Sequence, residues 1–214
     1  MHRLGNSLLV DRRQVSSEEE ARLGRVLKES LSQPWTLYEQ LASKNGVYEY
    51  RPLRTFDSVG TFLAVVKTIV AHQVAVARSP NTLELVSCSP RRLRVTGHSW
   101  FRSGIEPSWE DADNRGGGTI VFLFPVASSS WRAYENVLLS VVGGWRSGGT
   151  QKSAHFSHVT GVRLVDRTDA GKNPHTRLEI WFGKARDRER DDLMAEIHAI
   201  AGGGSPRPSL RMHQ

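Results

Sequence analysis

Thr176-Arg177-Leu178-Glu179-Ile180-Trp181-Phe182 alternates without a break: Leu178, Ile180 and Phe182 fall on one side of a strand, and Arg177, Glu179 and Trp181 on the other. A strict period of two predicts a strand with one face on a core and the other face open, the signature of an antiparallel sheet. Residues 160–167 repeat the pattern, with Val162 and Leu164 on the core side and Arg163, Val165 and Arg167 opposite. The turn-rich stretch 168–175 joins the two, which predicts neighbouring strands. Arg167 and Arg177 then meet at one end of the open face. Their guanidinium forks suit phosphate oxygens, or they pair with Asp166 or Glu179. Trp181, set among charges, either snorkels at the surface or lines a site where a flat ring binds beside an anion.

The flanking segments supply the other layer. Ser16 or Ser17 ahead of three glutamates starts a helix whose apolar face, Leu23, Val26, Leu27 and Leu31, runs to about Ser32 before Pro34 stops it. Residues 47–56 read as a strand, which Pro52 demotes to an edge or a bulge. Asp57 or Ser58 caps a second helix with a wide stripe of Val59, Phe62, Leu63, Val66, Ile69 and Val70. Short strands follow at 83–87 and 93–97, then a loop, then a longer strand at 119–126. Three serines at 128–130 cap a third helix carrying Trp131, Tyr134, Val137, Leu138 and Val141, which Gly143 ends. Residues 143–157 read as a surface loop, 187–200 as a last helix and 209–213 as a short strand. Strands that mostly follow one another by short connections, with helices between them, predict an α+β domain on an antiparallel sheet, helices on one face and the other face open.

Composition bounds the function. The chain has 214 residues, a formal net charge of +7 and one cysteine, Cys88. A single thiol excludes an internal disulfide framework and a four-cysteine zinc site, and points to a reducing compartment. The apolar patch near the start is too short for a secretory segment, and Lys67, His72 and Gln73 interrupt the most apolar window, which argues against a membrane span. His155-x-x-His158 lacks a third ligand, residues 148–153 lack the glycine before lysine of a phosphate loop, and no nucleophile–base pattern stands out. The reading is a protein without cofactor or metal, not an enzyme. The positive excess suggests a polyanionic partner, yet no long basic run carries it.

The remaining constellation is Gly104-Ile105-Glu106-Pro107-Ser108-Trp109-Glu110-Asp111, followed by Asn114-Arg115-Gly116-Gly117-Gly118. Pro107 stiffens the loop just before Trp109. A carboxylate directly after a loop tryptophan can accept two hydrogen bonds from a guanine edge while the indole stacks on the base. The alternative is an indole folded onto the core with Glu110 in water.

This loop resembles the cap-binding loop of the translation initiation factor 4E family, and the order of neighbouring segments agrees. Phe56 to Val59 with Phe62 resembles the first dorsal helix, Val137 to Leu139 with Gly143 the second, and residues 159–167 and 177–181 two late strands. The resemblance spans roughly residues 34–214. It implies a curved antiparallel sheet with helices on the convex face and the 7-methylguanosine cap of mRNA bound on the concave face. Carried over, Trp109 stacks on the methylated base, Glu110 accepts from its edge, Trp181 touches the N7-methyl group, and Arg167 and Arg177 hold the phosphates. Tyr48 is the counterpart of the opposite stacking tryptophan, with Tyr50 competing. Val59, Leu63, Asn136 and Leu139 correspond to the dorsal surface that receives an amphipathic helix, from a scaffold initiation factor 4G-like protein or a 4E-binding regulatory protein.

Several positions depart from the family pattern. Gly118 stands where a basic residue is common, Val165 where an asparagine is, Leu63 for the dorsal tryptophan and Asn136 for an acid. The departures resemble variant paralogues of protists, trypanosomatids among them, whose caps carry extra methyl groups. The expectation is an arm and helix over residues 1–32, a cap-binding domain over 33–214, and a cytoplasmic monomer until a partner binds. Its role is recruitment of mRNA for translation initiation. A cap-binding repressor and a guanine-reading enzyme are the alternatives.

Overall fold

The computed structural model describes residues 17–42, 48–76, 95–125, 127–144, 152–167 and 175–213. Its elements in chain order are α1 (Ser17–Val26), β1 (Ser30–Ala42), β2 (Tyr48–Ser58), α2 (Val59–Val76), β3 (Val95–Arg102), β4 (Gly118–Phe124), α3 (Ala127–Gly143), β5 (Val159–Arg167), β6 (His175–Phe182), α4 (Asp187–Ala201) and β7 (Ser209–Met212), with a 3₁₀ turn at His155–His158. Among the described residues, seven strands form one curved antiparallel sheet in the order β2-β1-β3-β5-β6-β4-β7. The α+β reading holds, and β5 and β6 pair directly.

The core lies between one face of this sheet and the helices. Leu178, Ile180 and Phe182 of β6, Ile120 and Phe122 of β4, and Val162 and Leu164 of β5 are fully buried there. Each such side chain contributes about 1.5–3 kcal/mol by leaving water. Trp100 of β3 sits at the centre, with Phe56 and Phe62 5.4 and 5.3 Å away between ring centroids. Its indole N–H donates to the Tyr134 hydroxyl at 2.6 Å, so α3 is keyed to the sheet by a buried hydrogen bond as well as by packing. The Tyr134 hydroxyl holds its proton far above the usual tyrosine range because burial disfavours the anion, against the Trp100 donor.

Four expected boundaries are corrected. The first helix ends at Val26, not Ser32, and its apolar face is not buried: Leu23 is 56% exposed. Leu31 instead packs against the core as part of β1, a strand that was not expected, the strand read at 47–56 being β2. β1 forms because Trp35, Leu37 and Leu41 reach the core face, while Pro34 falls within a register break between Ser30 and Trp35 and forfeits no ladder bond. β3 runs through Trp100 and Phe101, where a loop was expected after Gly97, since both faces of this central strand are covered and alternation is lost. α3 starts at Ala127, so residues 128–130 lie within the helix and not ahead of it. The expected arm at 1–15, the strand at 83–87 and most of the turn at 168–175 lie outside the described residues.

Pro52 behaves as anticipated. β2 is the sheet edge, and Leu37 pairs with Arg54 while Tyr38 pairs with Pro52, leaving Leu53 as the extra residue of a bulge. The chain just after α1 is tied to the start of α2 by backbone hydrogen bonds: Val59 N donates to Glu29 O and Gly60 N to Leu27 O, both at 3.0 Å. These are first-turn donors of α2 that would otherwise need water. A Cβ at Gly60 would lie 2.6 Å from Leu27 O, so only glycine permits the approach. Nearby Val59, Leu63 and Leu139 are half-buried and Asn136 is exposed.

Candidate functional site

The face of the sheet away from the helices is hollowed into a cavity of about 710 Å³. Strand register explains its floor. Arg163 stands opposite Glu179, Val165 opposite Arg177 and Gly161 opposite Trp181, so β5 and β6 put two arginines and a carboxylate side by side. Glu179 is buried and triply engaged: Arg163 Nη1 lies 3.0 Å and Arg177 Nε 2.5 Å from its oxygens, and the Trp181 indole donates at 3.1 Å. Burial pushes this carboxyl up, but Arg163, Arg177 and the indole donor outweigh it and hold it below the usual carboxylate range.

Trp181 is on the predicted face yet only 2% exposed. Phe101 meets it edge-on at 5.4 Å. A Cβ on the intervening Gly161 would lie 2.5 Å from the Phe101 ring, so the missing side chain lets Phe101 lean across. The Arg163 guanidinium lies 5.2 Å from the Trp181 ring centre and 5.2 Å from that of Tyr50. It also donates to Gln40 Oε1 at 2.5 Å and to the Tyr50 hydroxyl at 2.8 Å.

The Trp109 loop forms the rim. Gly104, at φ +91°, turns the chain away from β3. Asn114 is buried beneath the loop and donates to Glu106 O and Ser108 O, each at 2.9 Å, while Asp111 accepts from Glu106 N and Asp113 N, also at 2.9 Å. With its backbone held inward in this way, the loop presents Trp109 outward, 60% exposed. Glu110 beside it is fully exposed; the Ser108 hydroxyl bond first, then a backbone N–H and Arg115, hold its carboxyl below the usual range.

His213, to which the sequence reading assigned no role, closes the corner between the two tryptophans. Its ring stacks on Trp109 at 6.1 Å and 21°, and lies 4.8 Å from Trp181. Its backbone N–H donates to Gly117 O at 3.0 Å, its Nδ1–H to Asn114 O at 2.9 Å, and its Nε2 is 2.8 Å from the Thr119 hydroxyl. A Cβ at Gly117 would overlap Phe182 O at 1.9 Å, so the glycine turn is what lets the loop lie this close.

All six expected ligand residues, Tyr48, Trp109, Glu110, Arg167, Arg177 and Trp181, line this one cavity, and so does Tyr50. Arg167 stacks on the Tyr48 ring at 5.0 Å and donates to its hydroxyl. Gln40, Arg163, Arg211 and His213 were missed. Arg163 was visible in the β5 alternation, whereas Arg211 sits on a four-residue strand whose position beside β4 no local pattern reveals. Arg211 is level with Trp181 across Thr119. Arg177 is pushed below the usual guanidinium range by burial, against the pull of Glu179, with Arg163, Arg167 and Arg211 adding to the fall. Four guanidiniums thus face Glu179 and, at the rim, Glu110. Such a cavity suits a planar ring carrying a chain of anions. Among the described residues, no group of three His, Cys, Asp or Glu could hold a metal ion, and no helix is long and apolar enough to cross a membrane.

Among curated proteins, none matches this chain. Solved structures do. The complex of C. elegans eIF4E-3 with the 4E-binding protein Mextli and a cap analog superposes with a TM-score of 0.64 at 16% identity, covering 87% of this chain and 93% of that one. Ascaris suum eIF4E-3 with an m7G cap gives 0.64 at 16% identity over 87% and 92%. The same Ascaris protein with an m2,2,7G cap gives 0.58 at 16% identity over 81% and 84%. At this identity the likeness establishes the fold, and these three structures, of two proteins, lend no support to a trypanosomatid origin. The sequence pattern of the family described as Eukaryotic initiation factor 4E matches residues 30–201, from the first residue of β1 to the last of α4. Sheet, rim loop and family pattern therefore agree over most of the chain, which belongs to the eukaryotic initiation factor 4E family.

Proposed function

We propose that the cavity binds the 7-methylguanosine cap of mRNA and that the protein serves translation without catalysing a reaction. The observation that carries this reading is an exposed indole, Trp109, held on a hydrogen-bonded loop beside an ionised Glu110 at the mouth of an arginine-rich cavity. Stacking on an aromatic ring contributes about 1–3 kcal/mol per base, and the positive charge of an N7-methylated purine adds cation–π attraction. Glu110 accepts from the guanine edge. Tyr48 provides the opposing ring once Arg167 swings from it to the phosphates, where Arg177 joins it; Trp181 lies toward the N7-methyl group. Neighbouring structures solved with cap or cap analog support the assignment.

The dorsal surface of Val59, Leu63 and Leu139 is the proposed seat of an amphipathic helix from a scaffold factor or a 4E-binding regulator; a neighbour solved with such a binding protein supports it. Exposed Asn136 in place of an acid favours a regulator that does not need that charge, so a cap-binding repressor is the competing role. The protein would act in the cytoplasm, as a monomer before partner binding.

Retention on immobilised 7-methyl-GTP, with release by free 7-methyl-GTP and not by ATP, tests the site. Trp109→Ala should weaken retention markedly. Retention undiminished by this substitution, or release by ATP, would overturn the assignment. The partner captured on the resin, scaffold or repressor, decides the role.

A further inference from the structure

The floor of the cavity already contains a planar cation in an aromatic setting. Arg163 lies 5.2 Å from the ring centres of both Tyr50 and Trp181, and its position is over-determined by Glu179 at 3.0 Å, Gln40 at 2.5 Å and the Tyr50 hydroxyl at 2.8 Å. The other approaches to the Trp181 ring are taken by Phe101 at 5.4 Å and His213 at 4.8 Å. Trp181 is left 2% exposed.

We propose that Arg163 is a specificity-determining residue, a resident cation that limits how strongly this site prefers an N7-methylated guanine over an unmethylated one. The proposal rests on the cap reading above. Methylation at N7 makes the base a cation, and its reward is the attraction between that charge and nearby ring faces. Trp181 has already spent that attraction on Arg163. An arriving cationic base meets in addition a local excess of positive charge, because Arg163 and Arg177 share the single carboxylate of Glu179. A neutral guanine meets neither penalty. Only the rim, where Trp109 is exposed and Glu110 ionised, still rewards the methyl group, so the preference survives in reduced form. Arg163 cannot leave cheaply, since withdrawing it strands three partners in a buried site.

The test is a pair of titrations on the full chain, 7-methyl-GTP and GTP, followed by tryptophan fluorescence. The wild type should prefer the methylated nucleotide by less than about tenfold. Arg163→Val and Arg163→Gln, which remove the charge, should raise the ratio of the two affinities by about threefold or more, while Arg163→Lys, which keeps it, should leave the ratio near wild type. Thermal melts identify variants that fail to fold, and if both neutral variants fail, the wild-type ratio alone decides. A wild-type preference above about tenfold overturns the proposal. So does a ratio in folded neutral variants no higher than in Arg163→Lys. Those results leave cap binding intact. Equal affinity of the wild type for the two nucleotides, or binding of neither, sinks the cap reading and this inference with it.

Discussion

The two faces of β6 are built from adjacent residues and obey different physics. Leu178, Ile180 and Phe182 disappear into an apolar core, whereas Glu179 and Trp181, nearly as buried, and half-buried Arg177 depend on ion pairs, an indole donor and a guanidinium lying over a ring. Non-directional packing tolerates a neighbour of similar size. A buried charge tolerates nothing that leaves its partner alone. Damage to the helix-covered face should therefore register as stability, and damage to the cavity face should split between stability at its floor and binding at its rim.

The most damaging single change is expected on the apolar side. Phe122→Ala should cost about 3–5 kcal/mol by emptying a fully buried site, read as a lower denaturation midpoint with unchanged nucleotide affinity in the folded fraction. Glu179→Gln follows at about 3 kcal/mol, because it leaves the buried Arg163 and half-buried Arg177 guanidiniums without their anion. This pair also has a pH signature. The folded-state carboxyl is held below its ordinary value of 4.5, so its contribution is present above that value and is lost as pH falls beneath it. Urea midpoints followed down to about pH 3 should fall more steeply for the wild type than for Glu179→Gln, and parallel curves would count against a charged Glu179 in the fold.

At the rim the division should be clean. Trp109→Ala removes a side chain that is 60% exposed, so stability should move by no more than about 0.5 kcal/mol while 7-methyl-GTP affinity drops by about 1–3 kcal/mol. An equal loss in both would mean that the rim and the fold are not separable. Smallest is Tyr134→Phe, which keeps the ring and removes the acceptor of the Trp100 indole at a cost of about 1 kcal/mol, with no effect on binding.

The half-buried strands were legible because alternation survives wherever one face meets a core and the other meets charge; β5 and β6 followed from that pattern, and the edge strand from its β-forming residues and Pro52. β1 and β3 were not, since Trp35 to Leu41 and Val95 to Phe101 are covered on both sides and carry no alternation to read. The rim loop was legible for a separate reason. Proline, glycines and a lone tryptophan beside acids are informative within ten residues, and so is an arginine on an alternating strand. His213 escaped notice because its importance comes from contacts with Asn114, Gly117 and Thr119, nearly a hundred positions away in the chain. The apolar face of α1 misled, because a helical period says which residues share a side and not whether anything covers them.

Local chemistry was enough to specify which residues could stack, accept or carry charge, and which side of each alternating strand they occupy, because propensity and periodicity act over a few neighbours. Which charges share a partner was decided by register. Only when β5 and β6 pair does Arg163 come opposite Glu179, and only when β1, β2 and β3 complete the sheet do Gln40 and Tyr50 reach the same guanidinium. A carboxylate claimed by two arginines, and an indole ring claimed by one of them, are consequences of long-range pairing, which the order of residues along a strand does not encode.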